Sequence, residues 1–390
     1  MKTLKDINLR DKRVLMRVDF NVPVKNGGVT DDTRLRAHMP AITSILEQNP
    51  RSLILISHLG RPKGSPNPDF SLKVVLPNLK KLLGKEVRFF DDCAGADTKT
   101  HLENLPAGSI SLLENLRFYS EEKNNDKNFA QKLASYGDVF IQDAFAVAHR
   151  AHASTEGIPK ILPSAAGFLI QKEVKYLSDL LKNPRKPFVA VLGGAKVSTK
   201  ISVMKSLLSK VDHLLVGGAM SYTFLKARGE NTGLSLVEDD FLEKARGISE
   251  AAGTKLVLPE DHVISKSFEA PVENSISSEI PAGFYGVDIG PRTIQKYEEV
   301  LKNAGTIFWN GPMGIFEINE FSTGTSKIAR IIAEATKSGA VSVAGGGDSV
   351  AAIKKTGVAA DFSHISTGGG ASLEFVEGRL LPGIEALKQE

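Results

Sequence analysis

The second half of this 390-residue chain repeats one pattern, a short apolar run followed by a glycine-rich turn and a helical segment. In the fullest example, Val341–Ala344 lead into three glycines, then Asp348 and Ser349, and then a good helix-forming stretch. The runs predicted as strands are Phe188–Leu192, His213–Val216, Lys255–Leu258, Thr306–Trp309, Val341–Ala344 and His364–Ser366. Strands that alternate with helices form a parallel sheet covered by helices. The repeat therefore predicts a doubly wound, Rossmann-like domain whose ligands bind beyond the carboxyl ends of the strands.

The first half shows the same alternation with polar residues after its strands. The predicted strands are Val14–Val18, Ser52–Ser57, Ser109–Leu113 and Val139–Gln142, and a helix is predicted after an N-cap signal at Asp31 through about Gln48. Because 390 residues exceed one ordinary core, we expect two domains. Ala166–Lys182 is predicted to be one helix, and Pro184 and Pro187 after it mark the domain boundary. The predicted fold class is α/β, with two doubly wound parallel-sheet domains.

Composition excludes several classes of protein. No apolar run is long enough to span a bilayer, and the polar, mixed N-terminus predicts no signal peptide, so we expect a cytoplasmic protein. The single cysteine, Cys93, excludes an internal disulfide framework and a multi-cysteine zinc site. A net charge of +4 suits an anionic small ligand, and this excess is too small to indicate nucleic-acid binding.

Basic side chains gather at the predicted strand ends of the first half. Each of these residues follows a strand or begins a helix: Arg34, Arg61, Arg117, Arg150, His58, His149 and His152. Because the carboxyl ends of parallel strands share one edge, we predict a basic pocket for a multiply anionic ligand rather than scattered surface charges. Asp19 and Asn21 end the first strand on the same side. His149 and His152 are alternatively metal ligands, although no third ligand stands at metal spacing near them.

Candidate phosphate-binding groups lie in the second half. Lys196 and Lys200 are predicted on one face of a helix after a strand–Gly–Gly turn, and Asp348 in the first turn of another helix. The lysines are alternatively an ordinary solvated pair. Because a helix N-terminus offers free N–H groups, Gly345–Gly347 predict either a phosphate site or a simple tight turn. The chain contains no P-loop, Gly-x-Gly-x-x-Gly or protein-kinase signature.

Two other functions share parts of this pattern. A nicotinamide-dependent dehydrogenase has the same kind of sheet, but it needs the missing Gly-x-Gly-x-x-Gly turn and an acidic residue about 20 positions later. Titration with NAD and with ADP distinguishes this alternative. A nucleic-acid binder would use the mild positive charge, but the arginines stand beside histidines rather than among exposed aromatics. Steeply salt-dependent RNA binding without ADP affinity would favour that second alternative.

Eight ordered segments of the chain resemble those of phosphoglycerate kinases over essentially its whole length. They are Arg17-Val-Asp-Phe-Asn-Val-Pro23, Ser57-His-Leu-Gly-Arg-Pro62, Glu114-Asn-Leu-Arg-Phe118, His149-Arg-Ala-His-Ala-Ser154, Gly193-Gly-Ala-Lys-Val-Ser-Thr-Lys200, Asn310-Gly-Pro-Met-Gly-Ile-Phe-Glu317, Gly345-Gly-Gly-Asp348 and Ser366-Thr-Gly-Gly-Gly-Ala-Ser372. The family usually has Gly-Thr where this chain has Ala146-Val147. We expect local repacking at that point, with Arg150 keeping its role.

The resemblance implies a glycolytic phosphotransferase that moves a phosphoryl group reversibly from 1,3-bisphosphoglycerate to Mg·ADP, giving 3-phosphoglycerate and ATP by in-line transfer on domain closure. It implies that the glycerate ligand is bound by Asp19, Asn21, Arg34, His58, Gly60, Arg61, Arg117 and Arg150. It implies that the nucleotide is bound by Gly193, Ala195, Lys196, Lys200, Gly217, Gly286, Asn310, Pro312, Glu317, Gly346, Gly347, Asp348 and Ser349. Asp348 is expected to ligate Mg²⁺. The groups expected to stabilise the phosphoryl group in transfer are Arg34, Lys196, Gly346 and Gly370.

The same resemblance implies a division of labour along the chain. Residues 1–170 are expected to form the domain for 3-phosphoglycerate and 1,3-bisphosphoglycerate, and residues 188–372 the nucleotide domain. Residues 171–187 are expected to be an interdomain hinge helix, and residues 373–390 a segment that returns to the N-terminal domain. We expect a monomer whose partners are these small molecules, with neither nucleic acid nor membrane among them.

Overall fold

The computed structural model describes residues 1–269 and 273–388. The chain divides into two compact units: unit 1 is Met1–Lys175 with the residues from Leu380 onward, and unit 2 is Tyr176–Arg379. The division falls inside one helix, Phe168–Lys182, close to the predicted span. The role of residues 171–187 as a hinge stays a prediction. Within the described residues, no helix combines the length and apolarity that crossing a membrane requires.

Unit 1 contains eight described strands and the first five helices, and it shares the sixth helix with unit 2. The strands are β1 Arg13–Arg17, β2 Val24–Lys25, β3 Gly28–Val29, β4 Ser52–Ile56, β5 Arg88–Phe90, β6 Ser109–Leu113, β7 Val139–Gln142 and β8 Ser164–Ala166. The helices are α1 Thr33–Glu47, α2 Leu76–Leu83, α3 Thr98–Glu103, α4 Ser120–Lys123, α5 Lys127–Ala134 and α6 Phe168–Lys182. Strands β2 and β3 form a small hairpin, and the other six form a parallel sheet of order β5-β6-β4-β1-β7-β8.

The four strands predicted for unit 1 form the centre of its sheet. The edge strands β5 and β8 were not predicted, because three residues are too few to show a periodic pattern. All five residues of β4 are buried, with Leu53 and Leu55 in one apolar cluster and Ile54 and Ile56 in another. Such burial on both faces explains why these strands are continuously apolar rather than alternating.

Unit 2 contains nine described strands and seven helices. The strands are β9 Phe188–Leu192, β10 His213–Val216, β11 Leu256–Val257, β12 His262–Ser265, β13 Ser275–Ser277, β14 Tyr285–Ile289, β15 Thr306–Asn310, β16 Val341–Gly345 and β17 His364–Ile365. The helices are α7 Ile201–Leu208, α8 Met220–Ala227, α9 Leu242–Ala252, α10 Pro291–Lys302, α11 Thr323–Lys337, α12 Gly347–Thr356 and α13 Gly370–Val376. A last helix, α14 Pro382–Glu385, belongs to unit 1.

The six strands predicted for the second half form the parallel sheet of unit 2, in the order β11-β10-β9-β15-β16-β17. The predicted doubly wound fold is therefore confirmed for this unit. A second sheet, of order β13-β12-β14, is antiparallel and was not predicted. Its strands carry polar residues and a register shift after Val263, so their alternation is weak in the sequence.

The glycine turns of unit 2 allow backbones to approach closely. A Cβ atom added to Gly193 would lie 2.1 Å from the carbonyl oxygen of Pro312, and one added to Gly311 would lie 2.1 Å from that of Gly193. Gly311 also has a φ of +98°, which favours glycine. The Gly193 N–H donates to the Asn310 carbonyl at 2.9 Å. The turns after β9 and β15 thus pack directly against each other.

A buried carboxyl group, Asp288 in β14, joins the antiparallel sheet of unit 2 to helix α11. Its Oδ2 accepts the Gly324 N–H at 2.5 Å and its Oδ1 accepts the Ile289 N–H at 2.9 Å. Burial raises the pKa of Asp288 to about 7, and these two N–H groups oppose the rise. The folded state therefore binds this proton more tightly than the unfolded state does.

We predict that Asp288 makes the stability of unit 2 depend on pH. The stabilisation from proton binding is complete below the unfolded pKa, near 3.8, and is lost as the pH rises through about 7. Relative to an Asp288→Asn variant, the free energy of unfolding of the wild type should fall by up to about 1.4 kcal/mol for each pH unit in this range. The single tryptophan, Trp309, is fully buried in unit 2, so its fluorescence during denaturant unfolding at pH 5 and pH 8 reports this difference.

The exposed Asp240, also in unit 2, provides a matched control. An Asp240→Asn variant should show the same difference in unfolding free energy from the wild type at both pH values. A pH-independent difference for Asp288→Asn would contradict the assigned titration.

Candidate active site

The polar residues predicted for the first half lie at the carboxyl edge of the unit 1 sheet. Asp19 and Asn21 follow β1, His58 and Gly60 follow β4, and Arg117 lies in a turn after β6. Arg150 lies beyond β7, and Arg34 is the second residue of α1. The parallel strands bring these sequence-distant residues to one side of the unit, as the pattern of strand ends predicted.

A chain of hydrogen bonds connects three of these strand ends. The Arg34 guanidinium donates to Asp19 Oδ2 at 2.6 Å, and the Asn21 N–H donates to Asp19 Oδ1 at 3.1 Å. Asn21 Oδ1 accepts the Gly60 N–H at 2.9 Å, and the Gly60 carbonyl accepts from Arg117 at 2.9 Å. This chain fixes two cationic side chains relative to each other without using all of their donors.

Arg17, which the sequence prediction gave no role, lies in the centre of this site. It is the last residue of β1 and is 1% exposed. Its Nε donates to Ser154 Oγ at 2.9 Å, and its Nη2 lies 3.1 Å from His58 Nδ1. An arginine inside an otherwise apolar strand was the available signal, because a charge is buried at such a position only with dedicated partners.

Glu122 on α4 is the buried partner of Arg17. Its Oε1 accepts from Ser154 Oγ at 2.5 Å, so the serine hydroxyl links the carboxylate to the guanidinium. Burial raises the pKa of Glu122, and the positive charge of Arg17 opposes that rise. The Arg17–Ser154–Glu122 group is a rigid internal support for the basic edge.

His58 and His152 are held neutral. Burial lowers the pKa of His58 well below its ordinary value, and the charges of Arg17, Arg117 and Arg34 lower it further. Burial and neighbouring arginines lower the pKa of His152 to about 3. Arg117 keeps its charge, since burial lowers its pKa only to about 10. The positive charge of the pocket therefore comes from its arginines.

The predicted residues differ in how firmly they are held. Arg150 is exposed, but its charge reaches the pocket because it depresses the pKa of both Arg117 and His152. Arg61 is exposed, and within the described part of the chain no hydrogen bond ties it to the network through Asp19 and Gly60. The metal alternative for His149 and His152 receives no support, since the described residues contain no cluster of three or more metal-ligand side chains.

The departure at Ala146-Val147 lies in a short 3-10 turn after β7. Val147 is buried, and its carbonyl accepts the Arg150 N–H at 2.9 Å. The turn therefore places Arg150 through backbone contacts, while the valine side chain joins the apolar interior. The local repacking expected at this point stays a prediction.

Two of the phosphate-binding candidates of unit 2, Lys200 and the Gly345–Gly347 turn, meet at Asn310, the last residue of β15. Its Oδ1 accepts a hydrogen bond from Lys200 Nζ, and its Nδ2 donates to the Gly345 carbonyl at 2.6 Å. The Gly311 N–H donates to Ser349 Oγ at 2.6 Å. Asn310 therefore links the turns that follow β9, β15 and β16.

The prediction that Lys196 and Lys200 share one helix face is wrong. Lys196 is extended and exposed, residues Val197–Thr199 form a 3-10 turn, and Lys200 precedes the first residue of α7. The 3-10 turn separates Lys196 from α7, which begins only at Ile201. Burial lowers the pKa of Lys200, and the charges of Asp348 and Glu377 oppose the shift.

The N-terminus of α12 lies where the opening sequence pattern placed it. Gly346 precedes the helix with a φ of +93°, and Gly347 and the exposed Asp348 form its first turn. The N–H groups of this turn and the helix dipole favour an anion. Gly370 begins α13, and Ser372 on that helix would lie 3.4 Å from a Cβ atom on Gly345. The starts of α12 and α13 are thus neighbours.

The remaining nucleotide candidates spread along the same unit. Ala195 is exposed beside the first glycine turn, Gly217 follows β10, Pro312 accepts the Gly194 N–H through its carbonyl at 2.9 Å, and Glu317 is exposed beyond that loop. Gly286 lies in β14, and a Cβ atom there would lie 2.4 Å from the Tyr222 hydroxyl.

An apolar surface that the sequence did not reveal flanks Gly286. Leu234 is 52% exposed, Leu236 48% and Phe268 44%. Ser235, between the two leucines, accepts the Gly286 N–H at 2.8 Å, and the Phe268 ring lies 4.7 Å from that of Tyr285. We call Leu234, Leu236 and Phe268 the apolar patch. Exposed apolar groups beside a sheet edge suit a flat, aromatic ligand group.

Known proteins match this chain in sequence and in structure over both of its units. The family model for phosphoglycerate kinase matches residues 4–379. The phosphoglycerate kinase of Rubrobacter xylanophilus is 53% identical, over 100% of this chain and 98% of that protein. The structure of phosphoglycerate kinase from Coxiella burnetii matches with a TM-score of 0.89 and 41% identity, over 99% of this chain and 98% of that one. The enzyme from Pyrococcus horikoshii matches with a TM-score of 0.87 and 32% identity, over 100% and 98%. The chain belongs to the phosphoglycerate kinase family.

Proposed function

We propose that this chain transfers a phosphoryl group reversibly between 1,3-bisphosphoglycerate and Mg·ADP, and that the two sheet edges described above hold the two substrates. The observation that carries the proposal is that the two edges present positive groups of different kinds. One is lined by fixed arginines, and the other by glycine turns and a helix N-terminus. A phosphorylated acid and a nucleotide are the ligands that this pair of sites suits.

The arginine-lined edge of unit 1 is the proposed site for the glycerate ligand. Arg34, Arg117 and Arg150, with Arg61, supply positive charge for its phosphate and carboxylate groups. Asp19 and Asn21 bring oxygen and nitrogen atoms for its hydroxyl and carboxyl end. Neutral His58 and the Gly60 turn complete the lining. Because the guanidinium groups of Arg34 and Arg117 are held by hydrogen bonds, these two side chains lose little entropy on binding.

The glycine-lined edge of unit 2 is the proposed nucleotide site. The phosphates of the nucleotide would contact Lys196, Lys200 and the Gly346–Ser349 turn, and its ribose would contact Glu317. The base would lie against Gly286 and the apolar patch. Asp348 is exposed and supplies carboxylate oxygens, which are the ligands that Mg²⁺ takes together with phosphate oxygens. The donor set thus fits a magnesium ion delivered with the nucleotide.

The proposed mechanism depends on alignment and charge compensation. In-line phosphoryl transfer needs little covalent help, but it needs positive groups at the equatorial oxygens of the phosphoryl group. Arg34 and Lys196 are the proposed side chains, with N–H groups at Gly346 and Gly370 assisting. Magnesium, when bound, neutralises charge on the nucleotide phosphates. Closure of the two domains would bring donor and acceptor together and exclude water from the acyl phosphate.

The direct test is a coupled assay of ATP consumption with and without 3-phosphoglycerate. Consumption that requires 3-phosphoglycerate supports the proposal. Equal consumption in its absence would contradict it. Titration with ADP and NAD tests the dehydrogenase alternative in the same preparation, because only a dehydrogenase would bind NAD in preference.

We predict that Arg34→Ala lowers turnover by about a hundredfold or more, the scale for removing a donor to the transition state. Affinity for Mg·ATP should change by less than about threefold, since Arg34 belongs to the other proposed site. Steady-state kinetics with each substrate varied in turn measure both effects. Arg36→Ala is the matched control, because Arg36 is exposed on the same helix and pairs with Asp32. Near-normal turnover in Arg34→Ala would remove Arg34 from the mechanism.

We predict that Asp348→Ala weakens Mg·ADP binding by about tenfold or more, because a hard cation loses a carboxylate ligand. Binding of 3-phosphoglycerate should be unchanged. Calorimetric titration of the variant with each ligand separately makes the comparison, and Asp240→Ala, at an exposed carboxyl of the same unit, is the control. Equal weakening for both ligands would contradict the assignment of Asp348.

A further inference from the structure

Helix α1 holds Asp19 at two points. Arg34 binds the Asp19 carboxylate at 2.6 Å, and His38, one turn later on the same face, lies 2.9 Å from the Asp19 backbone nitrogen through its Nε2. Asp19 is 3% exposed and His38 1% exposed. The side chain and the backbone of Asp19 are therefore fixed by the same helix.

The contacts of His38 define its tautomer. The Asp19 N–H can only donate, so Nε2 must be the accepting, unprotonated nitrogen. The proton of the neutral ring then lies on Nδ1, which is 2.6 Å from Asp143 Oδ2. Asp143 therefore orients the imidazole, in the way that a carboxylate orients a histidine in many functional sites.

Asp143 is itself fixed from three directions. Its N–H donates to the Arg17 carbonyl at 3.0 Å, and its Oδ1 accepts the Leu169 N–H, in the first turn of α6, at 2.8 Å. A Cβ atom on Gly167 would lie 2.2 Å from that oxygen, so the chain approaches this carboxylate closely. Through Asp143 and His38, β7 and α6 therefore fix the position of the Asp19 backbone after the end of β1.

We propose that His38 is a positioning residue for the glycerate site, acting through the backbone of Asp19. With the Asp143 carboxylate behind it, His38 holds the Asp19 N–H and so sets where Asp19, Arg34 and Asn21 meet the substrate. The inference rests on the proposed function of the unit 1 site. Nothing in it requires His38 to touch the substrate.

Two substitutions separate the two contacts of His38. The amide of asparagine is as many bonds from Cα as Nδ1 is, so His38→Asn can still donate to Asp143 but leaves the Asp19 N–H without an acceptor. The amide of glutamine reaches as far as Nε2, so His38→Gln can accept the Asp19 N–H but abandons Asp143. His101→Asn, at an exposed histidine of the same unit, is the control for the substitution itself.

Calorimetric titration with 3-phosphoglycerate and with Mg·ADP is the experiment, with thermal unfolding to verify that each variant is folded. His38→Asn should weaken 3-phosphoglycerate binding by about tenfold or more, because displacement of a binding group by about 1 Å has effects of up to about a hundredfold. His38→Gln should stay within about threefold of the wild type. Mg·ADP affinity should be unchanged in both.

Several outcomes would overturn the inference. Equal 3-phosphoglycerate affinity in the wild type and His38→Asn, or a larger loss in His38→Gln than in His38→Asn, would show that the Asp19 contact has no positioning role. Equal weakening for both ligands would indicate a general loss of structure. A wild-type protein that does not bind 3-phosphoglycerate would overturn the proposed function, and the inference with it.

Discussion

The register of the parallel strands is the constraint on which both candidate sites depend. In unit 1, Arg17 pairs with Ile56 on one side and with Gln142 on the other, so β1, β4 and β7 end at the same level. In unit 2, Asn310 pairs with Leu192 and with Gly345. Residues that leave the sheet after these positions must meet, whatever their distance in sequence. A one-residue shift would turn every following side chain to the opposite face.

Burial of charge is tolerated at the unit 1 edge because two of the buried charges, Arg17 and Asp19, have internal partners. Arg17 is compensated by Glu122 through Ser154, and Asp19 by Arg34. Removing buried charges from water costs about as much as their attraction returns, so such pairs add little net stability. Their presence is therefore better explained by the fixed positions that they give to the groups of the proposed glycerate site. His58 and His152 are neutral partly for the same reason, since a further positive charge beside these arginines is unfavourable.

The sequence predicted the central strands of both sheets and the edge on which the polar residues meet. Apolar runs and glycine turns reveal this directly, because burial on both faces and tight turns restrict residue type. The supporting groups were not predicted. Glu122 and His38 lie on helices, where a polar residue is normally solvated, and only tertiary contacts show that they are buried. The prediction of one helix through Lys196 and Lys200 was wrong because the residues between them form a 3-10 turn, which has no distinctive periodicity in the sequence.

The two proposed sites differ in the kind of positive charge that they present to an anion. In unit 2, N–H groups of glycine turns and a helix N-terminus present partial positive charges. That suffices for a nucleotide, because its magnesium ion already neutralises part of the phosphate charge. A glycerate ligand brings no metal ion of its own, so full charges from arginines are needed in unit 1. Full charges in turn must be oriented, since an unrestrained guanidinium would lose entropy on binding. The demand for orientation explains why unit 1 has a dense network behind its arginines, ending in the contacts of Arg34 and His38 with one residue, Asp19.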